Sequence, residues 1–150
     1  MIEVAEADPL APEALALLRQ SHDLMNSLYP AEARHYFSVD RLTEPDITFV
    51  LAWRGDRAIG CGALRHTGAA EGEIKSMFVA PDARGTGAGR TVLDHLIALA
   101  RHAGLTTLKL ETGTGLAAAH GLYQSAGFTA CGPFGDYSPG PFSLFMELKL

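Results

Sequence analysis

A chain of 150 residues with 47% apolar and 19% charged residues predicts one folded domain over residues 1–150 rather than a disordered polymer. The net charge of −5 excludes a broad nucleic-acid-binding surface, and no apolar run reaches the length of a membrane span. The N-terminus lacks the features of a signal peptide, and the two cysteines do not form a C-x-x-C pair. We therefore expect a cytoplasmic protein without disulfides.

Hydrophobic periodicity and turn residues divide the chain into strands and helices. Asp8-Pro9 predicts the start of the first helix, as an N-cap followed by proline, and Tyr29-Pro30 predicts its end. Gly55-Asp56 fits a two-residue hairpin turn. In chain order, the predicted elements are a strand at 2–7, a helix at 9–28, strands at 47–54, 58–66 and 73–79, a helix that ends before Gly104, a strand at 105–111, a short helix at about 115–126, and strands at 129–134 and 142–149.

The order of these elements predicts the fold class. The strand, helix and strand between residues 73 and 111 require a parallel crossover, whereas the strands before them form an antiparallel meander. In the last strand, the alternation predicts one buried face with Phe142, Leu144, Met146 and Leu148. We therefore expect an α/β fold of the mixed α+β type. Its central sheet is mostly antiparallel with one parallel strand pair, and about four helices flank it.

The segment from Arg84 to Arg90, RGTGAGR, lies between a predicted strand and a predicted helix. Glycines in a helix interior cost about 1 kcal/mol each, but at a helix start they let an anion approach the free backbone N–H groups. The helix dipole and the two arginines add positive potential there. The pattern therefore predicts a phosphate-binding loop, and its alternative is a flexible loop with a glycine N-cap.

Two other phosphate-binding motifs match this segment less well. It lacks the Lys-Ser or Lys-Thr pair of a P-loop. Gly85 and Gly87 match two glycines of the Rossmann fingerprint, and Glu111 lies where that motif has its ribose-binding acid. However, Arg90 replaces the third glycine, and a Pro-Asp-Ala turn separates the strand from the glycines. A dinucleotide-binding domain stays an alternative.

Arg84-x-x-Gly87-x-Gly89 resembles the [RQ]-x-x-G-x-[GA] signature of the GNAT superfamily of N-acetyltransferases. The strands EIKSMFV and LKLET and the segment AAAHGLYQSAGF resemble the same family, so the resemblance covers about residues 73–128. It implies the GNAT fold and transfer of an acetyl group from acetyl-CoA to a primary amine of a small molecule, such as an amino acid or a related metabolite. A non-catalytic CoA sensor of the same fold is the alternative. A homodimer is compatible with these expectations, whereas nucleic-acid and membrane partners are not expected.

The resemblance also implies how acetyl-CoA binds. The family often has an asparagine near the pantetheine arm, seven residues before a tyrosine, where this chain has Leu116; Thr112 or Thr114 is expected to supply that contact instead. One backbone N–H of the strand before the loop would stabilise negative charge on the thioester carbonyl. The implied pyrophosphate contacts are the backbone of Arg84, Gly85, Thr86, Gly87, Ala88, Gly89 and Arg90, and the implied pantetheine contacts are Met77, Phe78 and Val79.

The resemblance places Tyr123 at the position of the tyrosine that acts as general acid in the family. A phenol of pKa near 10 suits that role, since it can protonate a thiolate whose thiol has a pKa of about 8.5. Its alternative is a core aromatic residue. Glu73 matches the family's general base, with a solvated strand-end charge as its alternative, and Glu111 is a second candidate. His120 lies one helical turn before Tyr123, on the same face of the helix. A single histidine in such a position more often has a structural role than a catalytic one.

The acceptor is expected between the first helix and the C-terminal strands. Arg34 and Tyr137 are predicted to bind a carboxylate of the acceptor together, and Tyr36 and Glu111 are further candidate contacts. The proline- and glycine-containing loop at 132–141 also borders this region. The histidines do not have the spacing of metal ligands, so no metal site is expected.

Overall fold

The computed structural model describes residues 1–150, which form seven strands and three α-helices. Three 3-10 turns, at 31–33, 41–43 and 81–83, account for the difference from the expected four helices. In chain order, the elements are β1 (Ile2–Glu6), α1 (Pro12–Leu28), β2 (Ile47–Arg54), β3 (Arg57–His66), β4 (Glu71–Val79), α2 (Ala88–His102), β5 (Thr107–Gly113), α3 (Ala117–Ser125), β6 (Thr129–Cys131) and β7 (Ser143–Lys149). No helix combines the length and the apolar character that a membrane span requires.

All seven strands belong to one sheet in the order β1-β2-β3-β4-β5-β7-β6. Only β4 and β5 pair in parallel, and every other neighbouring pair is antiparallel. The predicted fold class, a mostly antiparallel sheet with one parallel pair, is confirmed. Gly55 has a φ of 63° and turns β2 into β3, as its sequence predicts.

The first helix begins three residues later than expected. The Asp8 side chain accepts a hydrogen bond from the Leu10 amide at 2.9 Å and so closes a turn before the helix. Ala11 is the N-cap, and Pro12 rather than Pro9 occupies the first helical position.

The C-terminal strands also differ from the prediction. β6 ends at Cys131 rather than at residue 134, because Gly132-Pro133 follows and proline cannot donate to the sheet ladder. In β7, Leu144 is exposed, whereas Phe145 and Met146 are both buried. The predicted alternation of buried and exposed side chains along β7 fails because Phe134 and Tyr137, from the segment between β6 and β7, pack against Phe145 and bury it.

Helix α2 packs on β3 and β4 through an apolar stripe with the period of a helix. Gly104, with a φ of 81°, terminates it in a left-handed conformation. The stripe consists of Val92, Leu93, Leu96, Ile97 and Ala100, all buried.

Strands β4 and β5 separate after a short parallel contact. Their pairing begins with Glu71 opposite Thr107 and ends with Glu73 opposite Lys109. The edge of β4 from Ile74 to Val79 therefore has no strand beside it on the β5 side. We call this gap the β4–β5 opening, because unpaired backbone groups along it are free to bind a ligand.

Candidate active site

The glycine-rich segment joins β4 to α2 with its backbone amides free. Gly85 and Gly87 have φ values of 81° and 87°, and Gly87 is the N-cap of α2. None of the amides from Arg84 to Arg90 donates a hydrogen bond to a protein acceptor. Thr86 and Thr91 instead fix the loop from within, because their hydroxyls donate to the Ala83 carbonyl at 2.6 Å and the Gly87 carbonyl at 2.9 Å. The segment therefore presents free amides at a helix N-terminus, as an anion site requires.

The arginines at the two ends of this segment are held differently. The Arg84 guanidinium lies over the Phe78 ring, 5.8 Å from its centroid. Arg90 donates to Asp94 at 2.8 Å and to the Ser125 hydroxyl at 3.1 Å. Both cations thus lie beside the free amides, and Arg90 also ties the start of α2 to the end of α3.

The first turn of α2 packs tightly against the elements around the β4–β5 opening. Ala88 is buried. A side chain at Gly89 would lie 3.3 Å from Leu122 of α3 and 3.5 Å from Val79 of β4. Glycine at this position lets the loop approach both the end of β4 and the helix that carries Tyr123.

A β-bulge in β4 faces the same opening. Cys61 pairs with Phe78 and Ala63 with Lys75, so Gly62 alone opposes Ser76 and Met77. Ser76 has a φ of 57°, and no other non-glycine residue of the protein has a positive φ. A side chain at Gly62 would come within 2.8 Å of the Met77 sulfur and of Val92, so glycine is needed there.

A central cavity of about 120 Å³ lies against the bulge. It is bounded by α1, the segment after α1, the middle of β4, the end of β5, and α3. The predicted site residues that line it are Arg34, Tyr36, Met77, Glu111, Thr112 and Tyr123.

Tyr123 contributes a neutral phenol to the central cavity. Its ring is buried and packs edge-on against Phe128, with centroids 5.9 Å apart. Burial raises the pKa of Tyr123 above its usual value, and the negative charge of Glu111 raises it further. The phenol therefore keeps its proton at neutral pH and can act as a proton donor.

Glu111 is the carboxylate of the central cavity. Its Oε2 accepts a hydrogen bond from the Ser143 hydroxyl at 2.8 Å. Burial raises the pKa of Glu111, although this hydrogen bond and the nearby His35 and Lys75 oppose the shift. A carboxylate with a raised pKa is suited to accept a proton near neutral pH.

Glu73 is buried, with 2% of its surface exposed, so it is not a solvated strand-end charge. Its Oε2 accepts a hydrogen bond from the Tyr137 hydroxyl at 2.5 Å and lies 3.4 Å from the Lys75 ammonium. Arg65 approaches its other oxygen at 3.6 Å. Both oxygens therefore have protein partners, and the residue lies outside the lining of the central cavity.

Lys75 is a site residue that sequence reasoning missed. Its ammonium donates to the Tyr137 hydroxyl at 2.7 Å and to the His35 carbonyl at 3.1 Å, and it lies 4.1 Å from the centroid of the Phe37 ring. Burial lowers the pKa of Lys75, and Glu73 opposes that shift. The available signal was a lysine two residues after Glu73 in the same strand, and therefore on the same face of the sheet.

Arg34 and Tyr137 line different cavities. Arg34 donates to the carbonyls of Tyr29 at 2.9 Å and Asn26 at 3.2 Å, so it caps the C-terminus of α1. Tyr137 instead lines an outer cavity of about 500 Å³, which also contains Arg65, Lys109 and Phe134. Their shared carboxylate site therefore stays a prediction.

The remaining candidates near α1 and α3 have clear positions. Tyr36 stacks on His22, with centroids 4.1 Å apart, and donates to the Asn26 side chain at 2.9 Å. Thr112 is buried in the cavity lining, whereas Thr114 is exposed. His120 contacts the Gly113 carbonyl at 2.8 Å, which is a structural role. No group of three or more His, Cys, Asp or Glu residues is arranged to hold a metal ion.

Tyr29 was expected only to end α1, but it also reaches the end of β5. The Gly115 amide donates to its hydroxyl at 3.3 Å. A side chain at Gly113 would collide with the Tyr29 ring. Glycine at the end of β5 therefore lets Tyr29 close one wall of the central cavity, where it is part of the lining.

Comparisons with known proteins agree with this architecture. The model of the acetyltransferase (GNAT) family matches residues 15–128. An IAA acetyltransferase of Azospirillum brasilense is 42% identical over 150 residues, which cover 99% of this chain and 98% of that protein. A solved structure from Klebsiella pneumoniae, described as an acyl-CoA N-acyltransferase, superposes with a TM-score of 0.87 at 29% sequence identity. The alignment covers 100% of this chain and 98% of the Klebsiella chain.

A Bacillus subtilis acetyltransferase solved in complex with CoA has the same fold, with a TM-score of 0.75 at 20% identity over 100% of this chain and 99% of its own. The bulged β4, the β4–β5 opening and the free amides before α2 thus occur in a chain that the family model matches over most of its length. This chain belongs to the GNAT family of acetyltransferases.

Proposed function

We propose that this protein transfers the acetyl group of acetyl-CoA to a primary amine of a small molecule. One observation carries the proposal: the β4–β5 opening has free amides at Arg84–Arg90 near one end, and Glu111 and Tyr123 line the cavity beside it. The opening thus combines an anion site with a proton acceptor and a proton donor. A catalytic acyl transfer needs all three, whereas a CoA sensor needs only the first.

The residues of the opening fit acetyl-CoA. The free amides from Arg84 to Arg90 suit a pyrophosphate, and the unpaired edge of β4 at Met77, Phe78 and Val79 suits the amides of a pantetheine arm. Thr112 is the polar side chain available where Leu116 replaces the family asparagine. GNAT neighbours solved with CoA or with acetyl-CoA support this choice of co-substrate.

Bound acetyl-CoA would supply a thioester carbonyl as the electrophile. Glu111 accepts the proton of the acceptor amine, because burial raises its pKa and its only side-chain donor is Ser143. The backbone amides at the bulge stabilise negative charge on the carbonyl oxygen. Tyr123 gives its proton to the departing thiolate. We favour Glu111 over Glu73 as the base, because Tyr137, Lys75 and Arg65 already occupy the Glu73 carboxylate.

The acceptor is proposed to enter from the side of the outer cavity, between the segment after α1 and the segment between β6 and β7. The aromatic residues Phe37, Phe134 and Tyr137 line this cavity together with charged residues of both signs, namely Arg65, Lys109, Glu71, Glu73 and Asp136. Such a lining suits a small acceptor with both apolar and charged parts. Amino acids and related metabolites with a primary amine therefore form the first acceptor panel. IAA, after the name of the relative from Azospirillum brasilense, is assayed separately from this amine panel.

Two measurements test the proposal. Calorimetry should detect acetyl-CoA binding at micromolar concentrations and no NADH binding, since a sheet with one parallel pair lacks the largely parallel arrangement of a dinucleotide-binding fold. A thiol-release assay across the amine panel should then identify an acceptor. CoA binding without turnover of any amine would favour a sensor, and NADH binding without acetyl-CoA binding would overturn the proposal.

A further inference from the structure

Ser76 combines two properties that protein structures rarely tolerate together. Its Oγ is the one buried side-chain nitrogen or oxygen atom of the protein without a hydrogen-bond partner. The residue also has a φ of 57°, in the left-handed region that side chains other than glycine disfavour. Residues with strained backbones and unpaired buried polar groups cluster at functional sites. Ser76 is therefore a candidate for direct contact with a ligand.

The surroundings of Ser76 hold it in this conformation. The Cys61 thiol donates to the Ser76 carbonyl at 3.2 Å from the neighbouring strand. Cys61 is fully buried, and burial raises the pKa of its thiol to about 12, so it stays protonated and remains a donor. Gly62 provides the space that Met77 fills on the other side of the bulge. The bulge is thus supported from β3 and does not relax into regular pairing.

Ser76 is one of the residues that line the central cavity, together with Glu111 and Tyr123. Among the other polar groups of that cavity, Glu111, Tyr123 and Thr112 have roles in the proposed reaction as base, acid and cofactor contact. Arg34, Tyr36 and Lys75 instead donate hydrogen bonds to protein groups. Ser76 precedes Met77, within the β4 segment whose backbone is unpaired toward β5. A hydroxyl donor at this point supplements the backbone amides of the same bulge.

We propose that the Ser76 hydroxyl donates a hydrogen bond to the carbonyl oxygen of the acetyl group that is transferred. The inference rests on the proposed function and adds a side-chain donor to it. Ser76 keeps its proton throughout, so no covalent bond to the serine forms or breaks. Its hydrogen bond strengthens as negative charge develops on the carbonyl oxygen.

Binding measurements separate this role from a structural one. CoA lacks the acetyl carbonyl, so Ser76→Ala and Ser76→Gly should leave CoA affinity unchanged and weaken acetyl-CoA binding about 5-fold, the value of one neutral hydrogen bond. Ser27→Ala, an exposed serine of α1, is the matched control and should change neither affinity. With an acceptor in hand, kcat of both Ser76 variants should fall about 100-fold.

Thermal unfolding distinguishes loss of the contact from damage to the fold. Ser76→Gly relieves the left-handed conformation and removes an unpaired buried hydroxyl, so its melting temperature should rise while its acetyl-CoA affinity falls. If the wild type binds both ligands and the ratio of their affinities is unchanged in both Ser76 variants, this inference alone is overturned. If the wild type binds neither ligand, the proposed function is overturned and the inference with it.

Discussion

The Tyr137 phenol donates a hydrogen bond of 2.5 Å to Glu73 Oε2, joining residues that lie 64 positions apart. Burial raises the pKa of Tyr137, and the charge of Glu73 raises it further, so the phenol stays protonated and keeps donating. Lys75 donates to the same phenol oxygen and to the His35 carbonyl. These contacts attach two surface segments, 29–46 and 132–142, to the middle of β4.

Replacing Lys75 should loosen both of these segments at once. In Lys75→Met, Glu73 loses a buried cationic partner, which lowers the free energy of unfolding by about 3 kcal/mol. Hydrogen exchange of amides in residues 29–46 and 132–142 should accelerate, because the Lys75 contacts to His35 and Tyr137 are lost. Lys149→Met, at an exposed lysine, should change neither quantity. Unchanged exchange in both segments of Lys75→Met would contradict this account.

The two glutamates should respond differently to substitution by glutamine. Glu111→Gln removes the proposed base and should lower kcat/KM about 100-fold or more, with little loss of stability. Glu73→Gln leaves Lys75 and Arg65 facing a neutral group, so it should reduce stability by about 3 kcal/mol and affect catalysis less. Steady-state kinetics and urea unfolding of both variants test this. The reverse ranking of their kcat/KM values would reassign the base to Glu73.

The pH dependence follows from the raised pKa of Glu111. As a base it must be ionised, so kcat/KM should rise with pH through a pKa above the usual 4.5, and Glu111→Gln should lose this limb. The folded state binds the Glu111 proton more tightly than the unfolded state does. Its contribution to stability is therefore present below the unfolded pKa and is lost as pH rises through the folded pKa. Urea unfolding of the wild type and Glu111→Gln across this range should show that difference in slope.

Tyr123→Phe should separate proton donation from cofactor binding. The variant keeps the ring that packs on Phe128, so the fold should be preserved. It loses the phenol hydroxyl, so kcat should fall by roughly 100-fold while acetyl-CoA affinity stays nearly unchanged. Kinetics and calorimetry on the same preparation provide the comparison. A variant with wild-type kcat would remove Tyr123 from the reaction.

Gly87 and Gly104 form a matched pair for testing the loop before α2. Both have left-handed φ values, of 87° and 81°, and neither would place a side chain within 4 Å of another atom. Alanine should therefore cost about 1–2 kcal/mol of stability at either position. Only Gly87→Ala should also weaken CoA binding, by about 10-fold, because relieving its strain displaces the free amides. Equal CoA affinities in the two variants would argue against pyrophosphate binding by this loop.

The sequence alone was sufficient for the features that depend on local chemistry. Gly55 predicted a hairpin turn and Gly104 a helix end, and both residues have the left-handed conformation that glycine adopts at little cost. The period of α2 and the single parallel crossover followed from hydrophobic spacing and chain order. The family followed from the same segment, since the glycine spacing and the helix that carries Tyr123 lie within residues 73–128.

Only the tertiary structure decided how the charged residues share the site. Glu73 and Tyr137 are distant in sequence, and no local pattern indicates that a phenol from the β6–β7 segment occupies the Glu73 carboxylate. Lys75 was missed because two of its partners, the Tyr137 hydroxyl and the His35 carbonyl, belong to distant segments of the chain that only folding brings to β4. Burial, which raises the pKa values of Glu111 and Tyr123, is likewise a property of the packed sheet and its covering segments. Sequence therefore determined the family, whereas long-range packing decided how many protein partners each carboxylate has: Glu111 has one side-chain donor, and Glu73 has contacts from Tyr137, Lys75 and Arg65.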